Sequence, residues 1–375
     1  MDILNLLSAP LLSLLSYAVP FLAVLTIIVF FHELGHFLVA RWCGVNVETF
    51  SVGFGREIAG WTDRQGTRWK IGWLPLGGYV KFQGDANAAS LPSPDHAQGG
   101  PGDFHSASVG KRSLIVAAGP IANFLLAIAI FTASYSLVGV PVSMPVIEEV
   151  KPGSAAEMAG LRRGDVIKSI DGREITSFTH IQRLVADRAG EELTIEIERD
   201  GMPLRIKATP QVSEIPDGSG GTMRIGLLGI SRDVSKDLRY EKKGPGEAAL
   251  LAVHETWFVI ERSMAYIQRV VVGSESTDQL AGPLRIAQVS GQAASVSIAA
   301  LFQLAAVLSI SIGLVNLFPI PMLDGGHLLY YAIEAVRGKP LAQSAQELGF
   351  KVGLALVLML MLVATWNDIA RLNLF

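Results

Sequence analysis

Pro20 to Ala40 is an almost unbroken apolar run interrupted only by His32, Glu33 and His36. At 1.5 Å rise per residue it matches the ~30 Å hydrocarbon core of a bilayer, which predicts a transmembrane helix within residues 1–42. Two further stretches carry no charged residue, Ser113 to Ile147 and Ile298 to Leu323, and a fourth apolar run extends from Gly349 to Trp366. These predict transmembrane helices at 113–140, 297–323 and 349–368. Four spans put both termini on one side of the membrane. Eight Lys and Arg residues lie between Arg41 and Arg112, so the positive-inside rule assigns the loop 43–112 to the cytoplasm. The first run fits a cleavable leader poorly, because it has neither a charged n-region nor a small-x-small cleavage site.

Between the second and third spans the pattern changes. Short alternating strands such as PVIEEV, DVIKSI and LTIEIERDG are separated by Gly-containing turns, with one helical stretch, TSFTHIQRLVADRAG, among them. This predicts a compact α+β domain at 145–212, on the outer side. A connector follows at 213–296, starting with a loop at 213–222. Gly246 to Val272 has helical spacing but holds His254, Glu255, Glu261, Arg262 and Arg269, so it is expected to be an amphipathic helix on the membrane surface or the bundle. In the cytoplasmic loop, WKIGWLPLGGYVKFQGD predicts a β-hairpin at about 69–84 around a Pro-Leu-Gly-Gly turn. Its Trp and Leu content suits a re-entrant dip into the bilayer, and an ordinary cytoplasmic hairpin is the alternative. Residues 86–102 read as a mobile segment, and 324–348 as a cytoplasmic loop.

Composition agrees with a membrane protein: 50% of the 375 residues are hydrophobic and 17% charged, where a soluble domain carries about a quarter. A net charge of −3 leaves no basic footprint for nucleic acid. The single cysteine, Cys43, excludes an intramolecular disulfide or a multi-cysteine metal site.

The intramembrane polar residues carry the chemistry. His32-Glu33-Leu34-Gly35-His36 is an H-E-x-x-H pattern on a predicted helix. Histidines at i and i+4 share a face and can meet one Zn2+, while Glu33 beside them can take a proton from water. Ionisable residues within a span are costly and mark function by default. A catalytic zinc needs a third protein ligand. The third span ends in Asn316-Leu-Phe-Pro-Ile-Pro-Met-Leu-Asp324-Gly-Gly-His327. Asp324, read as the cytoplasmic end of its helix and at the depth of the histidines, is the expected third ligand, and His327 is its rival. Pro319 and Pro321 break helical geometry there and free backbone groups. Asn316 is placed to hydrogen-bond an extended peptide.

Together, H-E-L-G-H in the first span and N-L-F-P-I-P-M-L-D-G-G-H at the end of a later one resemble the site-2 protease family of intramembrane zinc metalloproteases. The order of span, inserted domain and span is most similar to its bacterial sigma-E-regulating branch. The likeness extends to Gly119-Pro120-Ile-Ala-Asn123-Phe124 and Gly282-Pro283-Leu-Arg-Ile286. It implies zinc held by His32, His36 and Asp324, with Glu33 activating water. It further implies substrate contacts from Asn316, from Asn123, and from Gly78 in the hairpin that aligns substrate as a strand.

Pro152 to Gly172 looks like the core of a PDZ domain, a module that takes extended peptides at a sheet edge. One PDZ-like domain is expected here, where the branch has two in tandem. The implied protein is a polytopic α-helical inner-membrane protein of four transmembrane helices, with a membrane-associated β-hairpin and one periplasmic PDZ-like domain. Its implied activity is cleavage of single-span membrane proteins near the cytoplasmic side, an anti-sigma factor or remnant signal peptides among them. Membrane lipid and a peptide ligand of the PDZ-like domain are the other expected partners. A non-catalytic PDZ scaffold would leave an intramembrane Glu unexplained, and a zinc transporter would show repeated halves that the sequence lacks.

Overall fold

The computed structural model describes residues 3–85, 100–175, 177–186, 188–216, 222–232, 238–273 and 282–371. The chain forms two compact units, one of Met1–Ala133, Gly246–Ala265 and Thr277–Phe375, the other of Ser134–Pro245 and Tyr266–Ser276. Among the described residues, four helices are long and apolar enough to cross a membrane, with candidate spans at Leu15–Trp42, Val109–Leu137, Ile298–Asn316 and Ser344–Ile369.

The first unit opens with helix α1 (Ile3–Trp42), followed by strands β1 (Val47–Thr62) and β2 (Arg68–Phe82). The hairpin is wider than the sequence pattern suggests, and its turn lies elsewhere. The reversal is at residues 63–67, where the Asp63 carboxylate accepts the Gln65 and Thr67 backbone N–H groups. Pro75-Leu76-Gly77-Gly78 instead runs within β2, between the pairs Phe54↔Leu74 and Val52↔Gly78. Proline there removes no ladder bond, because pairing with β1 lapses over that stretch. The strands also fold over, so that Phe50 lies opposite both Val80 and Trp69. Residues 78–82 thereby become an edge. Phe50 is fully buried, stacks on Trp69 at 4.3 Å and meets Phe37 of α1 edge-on at 5.5 Å. Outward-facing Ile58, Trp61, Ile71 and Trp73 stay exposed.

Helix α2 (Val109–Leu137) starts before Ser113 and takes in Lys111 and Arg112. Both cations have partners: Lys111 Nζ donates to the Cys43 carbonyl, and Arg112 pairs with Glu334 at 2.7 Å. An apolarity criterion stops short of them. The stretch read as mobile, 86–102, falls mostly outside the described residues.

The second unit contains β3 (Val140–Ser143), β4 (Glu149–Val150), α3 (Ala155–Met158), β5 (Val166–Ile170), β6 (Arg173–Glu174), α4 (Phe178–Ala186), β7 (Leu193–Arg199) and β8 (Met202–Ala208). Strands order as β6-β5-β7-β8, all antiparallel. The inward residues Ile167, Ile195 and Ile197 pack with Phe178 and Ile181 of α4 into one core. Asp200 and Gly201, both at positive φ, turn β7 into β8. Buried Asp165 is held by the Arg199 guanidinium at 2.7 Å.

The domain does not end at 212. After β9 (Gln211–Pro216) and β10 (Thr222–Leu227), Leu228 enters the same core, and β11 (Ile230–Ser231) pairs with β4. The expected loop at 213–222 is therefore partly strand: 213–216 pairs with 222–225, and 217–221 falls outside the described residues. Strand β12 (Leu238–Glu241) pairs with β3.

Helix α5 (Pro245–Val272) is the expected amphipathic helix, opened by Pro245 at its first turn and stopped by Gly273 in the left-handed region. Three helices follow: α6 (Pro283–Val296), α7 (Ile298–Asn316) and α8 (Asp324–Arg337). The last, α9 (Gln343–Arg371), begins before Gly349. Helix α6 was not expected, and α8 was foreseen only as a helix that His327 could begin. Helix α6 packs on α1 and α9, and its first turn is held by Asp368 of α9, whose carboxylate accepts from Gly282 N and Arg285 N at 3.0 Å. Helix α8 replaces the expected loop at 324–348 in its first half. Tyr331 on its buried side joins the core formed by the hairpin, α1 and α2.

A candidate metal centre

Helix α1 carries His32, Glu33 and His36 one turn apart, and α2 crosses it at this level with very little separation. A Cβ at Gly35 would collide with the Ala118 carbonyl, and one at Gly119 with His36 Nε2. Glycine is thus required at the crossing for the imidazoles to lie against α2. His36 Nδ1 donates to the Ile115 carbonyl at 2.9 Å, which leaves Nε2 as the free nitrogen.

Asp324 arrives differently from the way the sequence suggests. Helix α7 stops at Asn316, and a turn through Pro319 and Pro321 follows, with Met322 at φ +92. Asp324 is the first residue of α8 rather than the end of α7. Prolines prevent α7 from continuing, and Gly325 allows the new helix to start against the Leu317 and Phe318 carbonyls. The Asp324 carboxylate then faces both histidines, Oδ2 at 3.1 Å from His32 Nε2 and Oδ1 at 3.5 Å from His36 Nε2.

His32, His36 and Asp324 are the metal-capable group among the described residues, with donor atoms within 4.8 Å of one another. Two imidazole nitrogens and a carboxylate are a zinc-type donor set that leaves a coordination position open. The buried Asp324 Oδ2 meets His32 Nε2 at 3.1 Å without a hydrogen bond of good geometry, as expected of an oxygen kept for a cation. The residues present therefore fit a metal.

Beside these three residues is a cavity of about 510 Å³, lined among others by Glu33, Gly78, Asn316, Asp324 and His327. Glu33 and Val80 of the β2 edge line the same cavity. Gly78 lies two pairs further along, where a Cβ would come within 3.2 Å of the Glu33 side chain. Burial pushes the His327 imidazole below its ordinary pKa, against the pull of Asp324 and Asp85. His327 lines the cavity and is outside the donor group. Asn123, an expected substrate contact, is fully buried with its amide 3.2 Å from His32 Nδ1. Sequence reasoning missed the Ile115 carbonyl, a backbone group that no motif encodes.

Two histidines and an aspartate around one point, with a glutamate at hand in an apolar bundle, define a membrane metallopeptidase. The sequence from residue 20 to 360 matches the model of peptidase family M50. The chain is 46% identical to "Putative zinc metalloprotease Atu1380" of Agrobacterium fabrum, over 96% of this chain and 97% of that protein. It is 39% identical to metalloprotease MmpA of Caulobacter vibrioides, over 95% and 96% of the two chains. To the regulator of sigma-E protease RseP of Escherichia coli it is 31% identical, over 94% and 98%. The chain belongs to peptidase family M50, the site-2 protease family, and is a zinc metalloprotease of the membrane.

Proposed function

We propose that this protease is an intramembrane endopeptidase that cuts the transmembrane segment of single-span proteins near the cytoplasmic face of the inner membrane. The observation that carries this reading is the adjacency, in one cavity, of the His32–His36–Asp324 cluster, Glu33 and the 78–82 edge of β2. His32, His36 and Asp324 hold the zinc, which when bound polarises the scissile carbonyl and acidifies the attacking water. Glu33 accepts that water's proton and delivers it to the departing amine. Gly78 and its neighbours offer a backbone edge to the substrate, and Asn316, at the mouth of the same cavity, hydrogen-bonds the extended peptide.

A helical peptide bond is shielded by its own hydrogen bonds, so the substrate must unwind, and pairing with the β2 edge offsets the bonds it gives up. The exposed Ile58, Trp61, Ile71 and Trp73 suit a hairpin that dips into the bilayer. The inserted domain, here running to Ser231, is read as a single PDZ-like periplasmic module that binds a peptide and restrains access until the substrate's outer portion has been trimmed. In support, the alignment with RseP spans 452 positions, well beyond the 375 residues of this chain. An anti-sigma factor and remnant signal peptides are the substrates that fit this activity.

The test is cleavage of a model single-span substrate in detergent or proteoliposomes. A substrate with Gly or Pro near the scissile bond should be cut at least tenfold faster than one whose span is all Leu. Equal rates would overturn the unwinding step.

A further inference from the structure

Helix α2 presents one polar group to each of the two histidines, and both approach at Nδ1. The Ile115 carbonyl is at 2.9 Å from His36 Nδ1, and the Asn123 amide is at 3.2 Å from His32 Nδ1. A carbonyl can only accept, so His36 carries its proton on Nδ1 and its Nε2 faces Asp324 with a lone pair. For His32 the amide nitrogen is the atom that faces Nδ1. In that orientation Nδ1 has to accept, the proton moves to Nε2, and the nitrogen that faces Asp324 and His36 cannot bind a metal. Asn123 Oδ1, meanwhile, is buried without a hydrogen-bond partner. A half-turn of the amide costs Oδ1 nothing and places an acceptor on His32 Nδ1.

We propose that Asn123 is a positioning residue of the zinc site: its Oδ1 accepts from His32 Nδ1–H and so fixes the tautomer that presents a bare Nε2 to the metal. The side chain is suited to this task rather than to substrate contact. It is 0% exposed, and its backbone is pinned by Ser309 of α7, whose Oγ donates to the Asn123 carbonyl at 2.8 Å. Hydrogen bonds of this kind behind a ligating histidine typically contribute 10–100-fold in metal affinity. The inference rests on the reading of His32, His36 and Asp324 as the zinc ligands.

The experiment is zinc affinity of the full-length protein in detergent, measured by competition with a chelator after stripping and reloading with zinc. Asn123→Asp, nearly isosteric and acceptor-only, should bind zinc within a few-fold of wild type. Asn123→Leu, with no acceptor, should lose about 10–100-fold, with unfolding of the metal-free forms compared to show that the bundle is intact. Loss of tenfold or more in Asn123→Asp would overturn the proposal even if the Leu variant fails to fold. Wild-type affinity in a folded Asn123→Leu would overturn it as well. His32→Ala separates the two readings: retained zinc in that variant sinks the ligand assignment itself, whereas lost zinc there with unchanged Asn123→Leu sinks only the role of Asn123.

Discussion

Glu33 is flanked on one helix by two histidines that face Asp324, and its side chain lies beside Gly78 of the neighbouring sheet. Replacing it by Gln keeps size and removes the proton acceptor. Glu33→Gln should retain about one zinc per chain by elemental analysis while cleavage of a single-span substrate falls by several orders of magnitude. Cleavage that survives this substitution would remove Glu33 as the base. Asp63 makes a prediction of another kind. Burial works to raise its carboxyl, yet hydrogen bonds from Trp69, Arg41 and the Thr67 and Gln65 N–H groups hold it at about 2. Its contribution is therefore present above the unfolded carboxylate pKa of ~3.9 and is lost as pH falls from there toward about 2. Hydrogen exchange of the turn at residues 63–67 should accelerate across that window in wild type, and Asp63→Asn should show no such transition. At this scale the sequence was most informative: H-E-x-x-H and Asp324 are side chains whose types state their chemistry. The Ile115 carbonyl that orients His36 is backbone and leaves no mark in residue identity.

The elements hold these side chains through close backbone approach and through caps. Gly78 sits on the β2 edge, where a Cβ would be 2.9 Å from Val29 Cγ1 and 3.2 Å from Glu33 Cγ. Gly78→Val should therefore lower cleavage at least tenfold while zinc content is unchanged, because the added bulk displaces Glu33, the proposed base, and not His32, His36 or Asp324. Zinc lost in parallel with activity would point instead to general disruption. Elsewhere in the same unit, Asp368 satisfies two N–H groups at the start of α6. Asp368→Ala should cost about 1–2 kcal/mol, read as a lowered melting temperature, with zinc affinity retained. The spans themselves were legible, since long apolar runs have one physical explanation. The hairpin was legible only as a hairpin. Its true reversal rests on Asp63 capping a polar turn, while Pro-Leu-Gly-Gly, which looks like a turn, is a stretch of strand where pairing lapses. Helix α8 was hidden because its first residues, Asp-Gly-Gly-His, read as a loop until the turn through Pro319 and Pro321 restarts the chain.

Across the whole chain, the catalytic groups and the inserted domain belong to separate compact units, which makes their roles separable by deletion. Removing the domain through its true end, residues 145–231, should let the enzyme cut a substrate whose outer portion is intact. Continued dependence on prior trimming would exclude gating by that domain. The extent of the domain was misjudged from sequence because its closing strand, Ile230–Ser231, is only two residues long and pairs with β4, some eighty residues earlier. The Glu33 side chain lies against the 78–82 edge, which it reaches because Gly78 has no Cβ to stand between them. A strand docked along that edge as proposed would lie beside the carboxylate from the moment it pairs, so that recognition and chemistry would share one threshold.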